Sequence, residues 1–302
     1  MSRYLDPKAD VVFKKIFGQH PHLLKSFLNA LLPLPVDGQI ESLEYLPSEQ
    51  VPQIPGFKYT VVDVKCKDQY GRVFIVEMQI QWIETFVQRM LFGTSTAYVR
   101  QLGKGDDYHL LRPVYGLGLL ASTFDKDSSD WYHHYRLAKV DKAHQYLKDL
   151  QMIIIELPKF KANTFSDKKL KVLWLRFMSE LNANTREVPV EWLEVPEIKE
   201  AVELSQEAAY SAAELDAYDR YWDAVSTEKT LITGKLAEGR LEGREEGRLE
   251  GREEGRLEGR EEGRLRTQQF IARKLLAKNV SINEIIALTE LSIEEINALK
   301  NE

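Results

Sequence analysis

A single cysteine, Cys66, in 302 residues excludes an intramolecular disulfide and any zinc site built on several thiolates. No apolar run approaches the roughly 18 residues needed to cross a bilayer. The opening segment, MSRYLDPKADVVF, carries no apolar core of the signal-peptide kind. These absences predict a soluble, cytoplasmic protein with no membrane partner. A glycine-rich phosphate loop and a Ser/His/Asp set are also missing. Nor is there an excess of basic charge. Lys and Arg number 41 against 47 Asp and Glu, a net −6, which at first argues against nucleic acid as a partner. That average hides an asymmetry. Residues 1–160 carry 19 basic and 18 acidic groups, and residues 161–302 carry 22 and 29. The first half can still present a local basic patch, so net charge does not decide the question.

What is present is a globular composition, with 43% hydrophobic and 29% charged residues. The length fits one large domain or two ordinary ones. DVVFKKIFG (10–18) reads as a short amphipathic helix, with Asp10 as N-cap and Gly18 just past its end. A second helix, 21–32, is stopped by Pro33 and Pro35. IESLEYL (40–46) is strand-like, and the prolines of 47–57 mark a loop. Strands are expected at 59–66 and 72–80, a helix at 82–102, and three more strands at 113–123, 131–138 and 151–158. From about residue 165 the pattern is helical. The order predicts an α/β core followed by an all-helical C-terminal region.

Residues 238–265 repeat the tetrad EGRx seven times. Seven glycines at about 1 kcal/mol each oppose a helix. Arg falls four residues from Arg, and Glu four from Glu, which also disfavours one. Only Glu245, Glu253 and Glu261 have an arginine three residues on. A helical spacer and a flexible one both remain open. If helical, the Gly, Arg and Glu stripes wind slowly round the axis and offer a means of pairing chains. Beyond the repeat, Ser281 with Glu284 and Ser292 with Glu295 match the S-x-x-E capping box. Two short helices follow from this. They resemble a helix-turn-helix, but residues 266–302 hold five basic and five acidic groups. A helical hairpin for protein contacts is the better reading.

The chemistry concentrates in the hairpin 59–80. On its second strand Val73, Ile75, Glu77 and Gln79 alternate with Phe74, Val76, Met78 and Ile80. A three-residue loop, Gln69-Tyr70-Gly71 with Gly71 left-handed, pairs Asp68 with Arg72. Carrying that register along sets Asp63 opposite Glu77 on one face. Two carboxylates facing each other across a strand pair repel. A divalent cation removes the penalty, and hard cations such as Mg²⁺ favour oxygen ligands. The alternative is a solvent-exposed sheet face on which Asp63 and Glu77 are ordinary surface groups.

The ordered set D-V-V-F-K-K-I-F-G, S-F-L-N-A-L-L and D-V-K-C-K-D-Q-Y-G-R-V-F-I-V-E-M-Q resembles the recombination-promoting nuclease/putative transposase family. This is a branch of the PD-(D/E)XK nuclease superfamily. Arg89, Y-V-R-Q-L (98–102), Gly105 to Tyr108 and I-I-E-L-P-K-F (154–160) extend the resemblance over roughly residues 5–230. It implies a restriction-endonuclease-like core, a mixed sheet flanked by helices. A nuclease region would span 1–230, with its core at about 5–165 and a helical part at 165–230. The repeat spacer and helical hairpin would occupy 231–302. It also implies a metal-dependent DNA endonuclease with Asp63 and Glu77 as ligands of Mg²⁺, Mn²⁺ or Ca²⁺. Gln79 stands where many superfamily members have a catalytic Lys. An amide can orient water or phosphate but cannot neutralise charge, and Lys65 or Lys14 is a candidate for the missing cation.

Other residues carry two readings each. Asp10 is an outer metal contact or a helix cap. Lys14 reaches a phosphate or lies on a solvated helix face. Arg89, Thr96 and Arg100 fall within about 40° on helix 82–102, as a phosphate-facing stripe or plain surface. Gln101 is a candidate support for the site. His133 and His134 face opposite sides of one strand and read as structural. The function expected is DNA phosphodiester hydrolysis in recombination, mobile-element or defence biology, by a homo-oligomer assembled through the tail. The competing readings are a catalytically weak or inactive DNA-binding or assembly protein on the same fold, and a structural interaction protein dominated by the repeat.

Overall fold

The computed structural model describes residues 3–50, 60–162 and 169–300. The chain divides into two compact units, Met1–Lys229 and Thr230–Glu302. Tyr59, loop residues 51–57 and the expected core boundary near 165 lie outside the described residues.

The first unit opens with helices α1 (Asp10–Gln19) and α2 (Pro21–Leu31). Ala9, not Asp10, is the N-cap of α1, and Asp10 is its first helical residue. Gly18 lies inside the helix, because the turn runs on to Gln19 before Pro21 starts α2. Strands β1 (Leu43–Tyr45), β2 (Glu49–Gln50), β3 (Thr60–Val61), β4 (Val64–Asp68) and β5 (Val73–Gln79) precede helix α3 (Phe86–Val99). Strands β6 (Val114–Leu120), β7 (Tyr132–Lys139) and β8 (Lys142–Glu156) follow. The remainder is helical: α4 (Leu170–Glu180), α5 (Val190–Leu193), α6 (Pro196–Leu204), α7 (Ala212–Leu276), α8 (Ile282–Thr289) and α9 (Ile293–Lys300).

Six strands form one mixed sheet in the order β1-β4-β5-β6-β8-β7. β4 runs antiparallel to β1 and β5, β6 runs parallel to β5 and β8, and β7 returns antiparallel on β8. The hairpin register is the one its turn predicts. Val64 pairs with Val76 and Lys67 with Val73, and Gly71 has φ +76°. The Asp68 N–H donates to Arg72 C=O at 3.1 Å, and the buried Asp68 carboxylate holds the Arg72 guanidinium at 2.6 Å.

The expected strand 59–66 is not continuous. β3 belongs to a separate two-stranded ladder with β2, Glu49 opposite Val61. The backbone bends at Asp63 before β4 begins. In consequence Val62 packs with Val73 and Ile75 rather than with Val64 and Cys66. β8 also begins well before the expected residue 151. Its first half, KAHQYLKDL, is polar and exposed, so hydrophobic alternation does not reveal it.

Both faces of the sheet are covered. One face, with Val64, Cys66, Phe74, Val76, Leu117, Leu119, Ile153 and Ile155, joins the main core under α1, α2, α4 and α6. Fully buried Phe13, Phe17, Phe27, Trp174 and Phe177 anchor it, at about 1.5–3 kcal/mol each for burial of a large apolar side chain. The other face packs against α3. Val73, Ile75 and Val114 meet Ala97, while Leu120, Met152 and Ile154 meet Phe86 and Met90.

In the second unit the repeat is helical throughout, as part of α7. Arg248 pairs with Glu245 at 2.6 Å and Arg256 with Glu253 at 3.3 Å. The third expected pair is replaced, since Arg264 turns to Glu290 at 3.5 Å. Ala272, Ile285, Leu291 and Ile296 form a small core that joins the end of α7 to α8 and α9. Both capping boxes form. The Glu284 and Glu295 N–H groups donate to Ser281 and Ser292 Oγ at 3.4 and 3.2 Å. No helix among the described residues is long and apolar enough to cross a membrane.

Candidate active site

The site begins where the β4–β5 ladder ends. The last register pair is Val64 with Val76, so β5 continues beyond its partner. The Met78 N–H, beyond the reach of β4, donates to Asp63 Oδ2 at 2.7 Å. The bend at Asp63 thus turns its carboxylate onto the outgoing end of β5.

Glu77, one residue earlier on β5, faces α3. It is 4% exposed, which overturns the reading of this face as a wet surface. Its neighbour across the parallel ladder is Gly118. A Cβ built on Gly118 would lie 3.0 Å from Phe86 Cζ, and one on Gly116 would lie 2.5 Å from Thr94 Cγ2. These two glycines let α3 lie close against the sheet. The Phe86 ring therefore fills the space beside Glu77, and Arg89, one turn on, reaches the carboxylate. Arg89 Nη2 lies 3.3 Å from Glu77 Oε2 and donates to Gln79 Oε1 at 2.6 Å. The second carboxylate oxygen, Glu77 Oε1, is buried and has no hydrogen-bond partner. An orphaned buried polar atom of this kind costs about 1–3 kcal/mol.

Burial pushes the Glu77 carboxyl up to about 7, against the attraction of Arg89 and with the help of the Asp63 charge. Burial raises Asp63 as well; the Met78 N–H holds it down and Asp10 adds to the rise. Asp10 and Asp63 line one cleft with Lys8, Gln79, Gln81 and Glu228. Gln79 Nε2 donates to Gln81 C=O at 2.9 Å, and Gln81 Nε2 to Val225 C=O at 3.0 Å. The start of α7 is thereby tied to the rim of the site. Lys8, Gln81 and Glu228 carry no sequence signal, because nothing local links them to the hairpin.

The remaining candidates fall in different places. Lys14 pairs with Asp10 at 2.8 Å and lowers Asp63 through its charge. Lys65 lies opposite Ile75, and its pKa is lowered by burial and by the charge of Arg100. Arg100 caps the C-terminus of α3, so the stripe with Arg89 is divided between two ends of the helix. Gln101 is spent on the Arg112 backbone, donating to its C=O and accepting from its N–H at 2.8 Å each. His133 bonds to Glu156 and His134 to Gln151, at 2.8 and 2.9 Å.

Among the described residues no group of three His, Cys, Asp or Glu side chains could hold a metal. The donors available are two carboxylates, Asp63 and Glu77, of which the first is near enough for its charge to push the second up. A cation bound by one or two carboxylates, completed by water and substrate phosphate, is the ordinary Mg²⁺ arrangement. The buried Glu77 Oε1 without a hydrogen-bond partner is an acceptor that such an ion would satisfy. The residues fit such an ion.

A mixed sheet covered by helices on both faces, with a carboxylate pair at its central hairpin, is the restriction-endonuclease-like fold of PD-(D/E)XK nucleases. Residues 7–234 match the family model described as PD-(D/E)XK nuclease family transposase, and the chain belongs to that family. No curated protein and no solved structure matches the chain significantly.

Proposed function

We propose that the chain is a divalent-cation-dependent DNA endonuclease. Asp63 and Glu77 hold the cation, and Gln79 orients groups at the scissile phosphate. The observation that carries this reading is the buried, unpartnered Glu77 Oε1 beside a second carboxylate. Family membership supports a nucleic-acid substrate. A bound divalent cation supplies polarisation of the phosphate and activation of water. The chain's own part is positional. The Met78 N–H fixes the Asp63 carboxylate, α3 shields Glu77 from bulk water, and Gln79 aims its amide through its bond to Arg89. In the reaction a water oxygen joins phosphorus and the bond to one sugar oxygen breaks. We place this activity in recombination, mobile-element or defence biology in the cytoplasm, with the tail assembling a homo-oligomer on the duplex.

Purified protein on supercoiled plasmid tests it. Nicking or linearisation should appear with Mg²⁺ or Mn²⁺ and vanish with EDTA. Asp63→Asn and Glu77→Gln should each lower cleavage by at least about 100-fold, a rise of about 2.7 kcal/mol or more in the barrier. Wild-type cleavage by Asp63→Asn would refute the site. Metal-independent DNA binding without cleavage would favour a non-catalytic binding role, for which the missing superfamily lysine at Gln79 is the supporting feature.

A further inference from the structure

The site needs a cation that Gln79 cannot provide, and the structure places one there. Lys14 is committed to Asp10. Lys8 is committed to Asp6 at 2.7 Å and to the Met178 C=O at 3.1 Å. Lys65 faces Arg100. Arg89 is different, because its ion pair is with Glu77 itself.

The two hydrogen-bond contacts of Arg89 are unequal and both use Nη2, and its guanidinium also lies over the Phe86 ring, 5.4 Å from the centroid. The bond to Gln79 Oε1 is short, at 2.6 Å. The approach to Glu77 Oε2 is 3.3 Å, beyond the 2.7–2.9 Å usual for a charge-assisted bond. Gln79 therefore holds the guanidinium, while Glu77 is only loosely neutralised and keeps Oε1 without a partner. Gly116 and Gly118 fix α3 against the sheet, so the Arg89 backbone is anchored. Its side chain is long and 39% exposed, against 6% for that of Glu77. The guanidinium can move toward the open side without moving the helix.

Resting on the endonuclease reading above, we propose that Arg89 is the resident counter-ion of Glu77. It competes with the divalent cation for that carboxylate. Once displaced, it swings about Gln79 to face the scissile phosphate, where its charge takes the place of the absent lysine. Gln79 is on this view a positioning residue, whose amide oxygen is the pivot of the arginine.

The two halves of the proposal oppose each other in one variant. Arg89→Ala removes a competitor and a phosphate-facing charge together. The full chain is titrated with Ca²⁺ and with Mg²⁺ by calorimetry, without DNA. Single-turnover plasmid cleavage is then measured at saturating Mg²⁺. Arg89→Ala should bind the cation about tenfold more tightly, equivalent to about 1.4 kcal/mol. It should cleave at least about 100-fold more slowly, the scale of losing one preorganised charge-stabilising group. Arg89→Lys should recover part of the rate, and Gln79→Ala should slow cleavage while tightening the cation less. Thermal unfolding in EDTA identifies a variant that has lost its fold, in which case Arg89→Lys and Arg89→Gln are compared instead. Unchanged or weaker cation affinity in a folded Arg89 variant overturns the competition, even with the endonuclease reading intact. Wild-type cleavage by that variant overturns the phosphate role. If the wild type takes up no cation and shows no Mg²⁺-dependent cleavage, the endonuclease reading fails, and this proposal with it; cleavage by a wild type that takes up no cation without DNA overturns the competition alone.

Discussion

Glu77 carries its own pH signature, separate from any catalysis. Its carboxyl titrates near 7 in the folded chain against an ordinary 4.5, so the folded state holds a proton that the unfolded state has already released. Stability then falls as pH rises from about 4.5 to about 7, by at most about 3 kcal/mol. Asp63, also raised, acts in the same direction. In EDTA, chemical denaturation should show wild type losing stability between pH 5 and pH 8. Glu77→Gln should keep most of it, and the two should converge at pH 5. Parallel pH profiles would show that Glu77 is not held up by its surroundings. The hairpin register was legible from the turn alone: Gly71 in the left-handed region fixes Asp68 against Arg72. Counting along the strands places Asp63 opposite Glu77, but the ladder stops at Val64–Val76 and the bend at Asp63 turns its carboxylate to the Met78 N–H instead. The aim of Arg89 was not legible. Its helical angle groups it with Arg100, yet the helix ends place one beside Glu77 and the other beside Lys65.

The approach of α3 to the sheet depends on two missing side chains. Thr94 is fully buried, β-branched and bonded through Oγ1 to the Met90 C=O at 2.8 Å. It has little freedom to yield to a new methyl group 2.5 Å away. Gly116→Ala should therefore cost about 1–3 kcal/mol, the usual penalty for overpacking. It should also reduce plasmid cleavage by shifting Arg89, although it touches neither carboxylate. Calorimetric Tm and cleavage rate measured together check this, and an unchanged Tm would mean that α3 has room to move. Strand composition announced β5 and β6 clearly, because both are buried on two faces. The break at Asp63 escaped notice because its cause is a partner strand at Glu49–Gln50, remote in sequence and too short to show a pattern. The helix through the repeat ran against local propensity. At each repeat glycine an added Cβ would meet nothing within 4 Å, so no packing within the chain explains the choice of glycine.

Assembly is the property of the chain that the tail should control. Leu241, Leu249, Leu257 and Leu265 are exposed on a helix that otherwise presents Arg and Glu, and the proposed self-association would use them. Removing residues 235–302, beyond the family-matched region, should lower the molar mass measured by light scattering. An unchanged mass would assign oligomerisation elsewhere or exclude it. The same repeat has a metric consequence. Each tetrad is four residues of helix, a rise of about 6 Å and a rotation of about 40° beyond one full turn. Eight residues separate successive leucines, so the leucine line precesses by about 80° per step and circles the axis once in about 54 Å. Gain or loss of one EGRLEGRE octad would keep the alternation of Leu and Glu at the fourth position. It would still shift the phase of the last leucine of the repeat by about 80° relative to the first. Repeat number is thus a dial that sets the phase of the tail in discrete steps, and only chains with the same count would present their leucine lines in step.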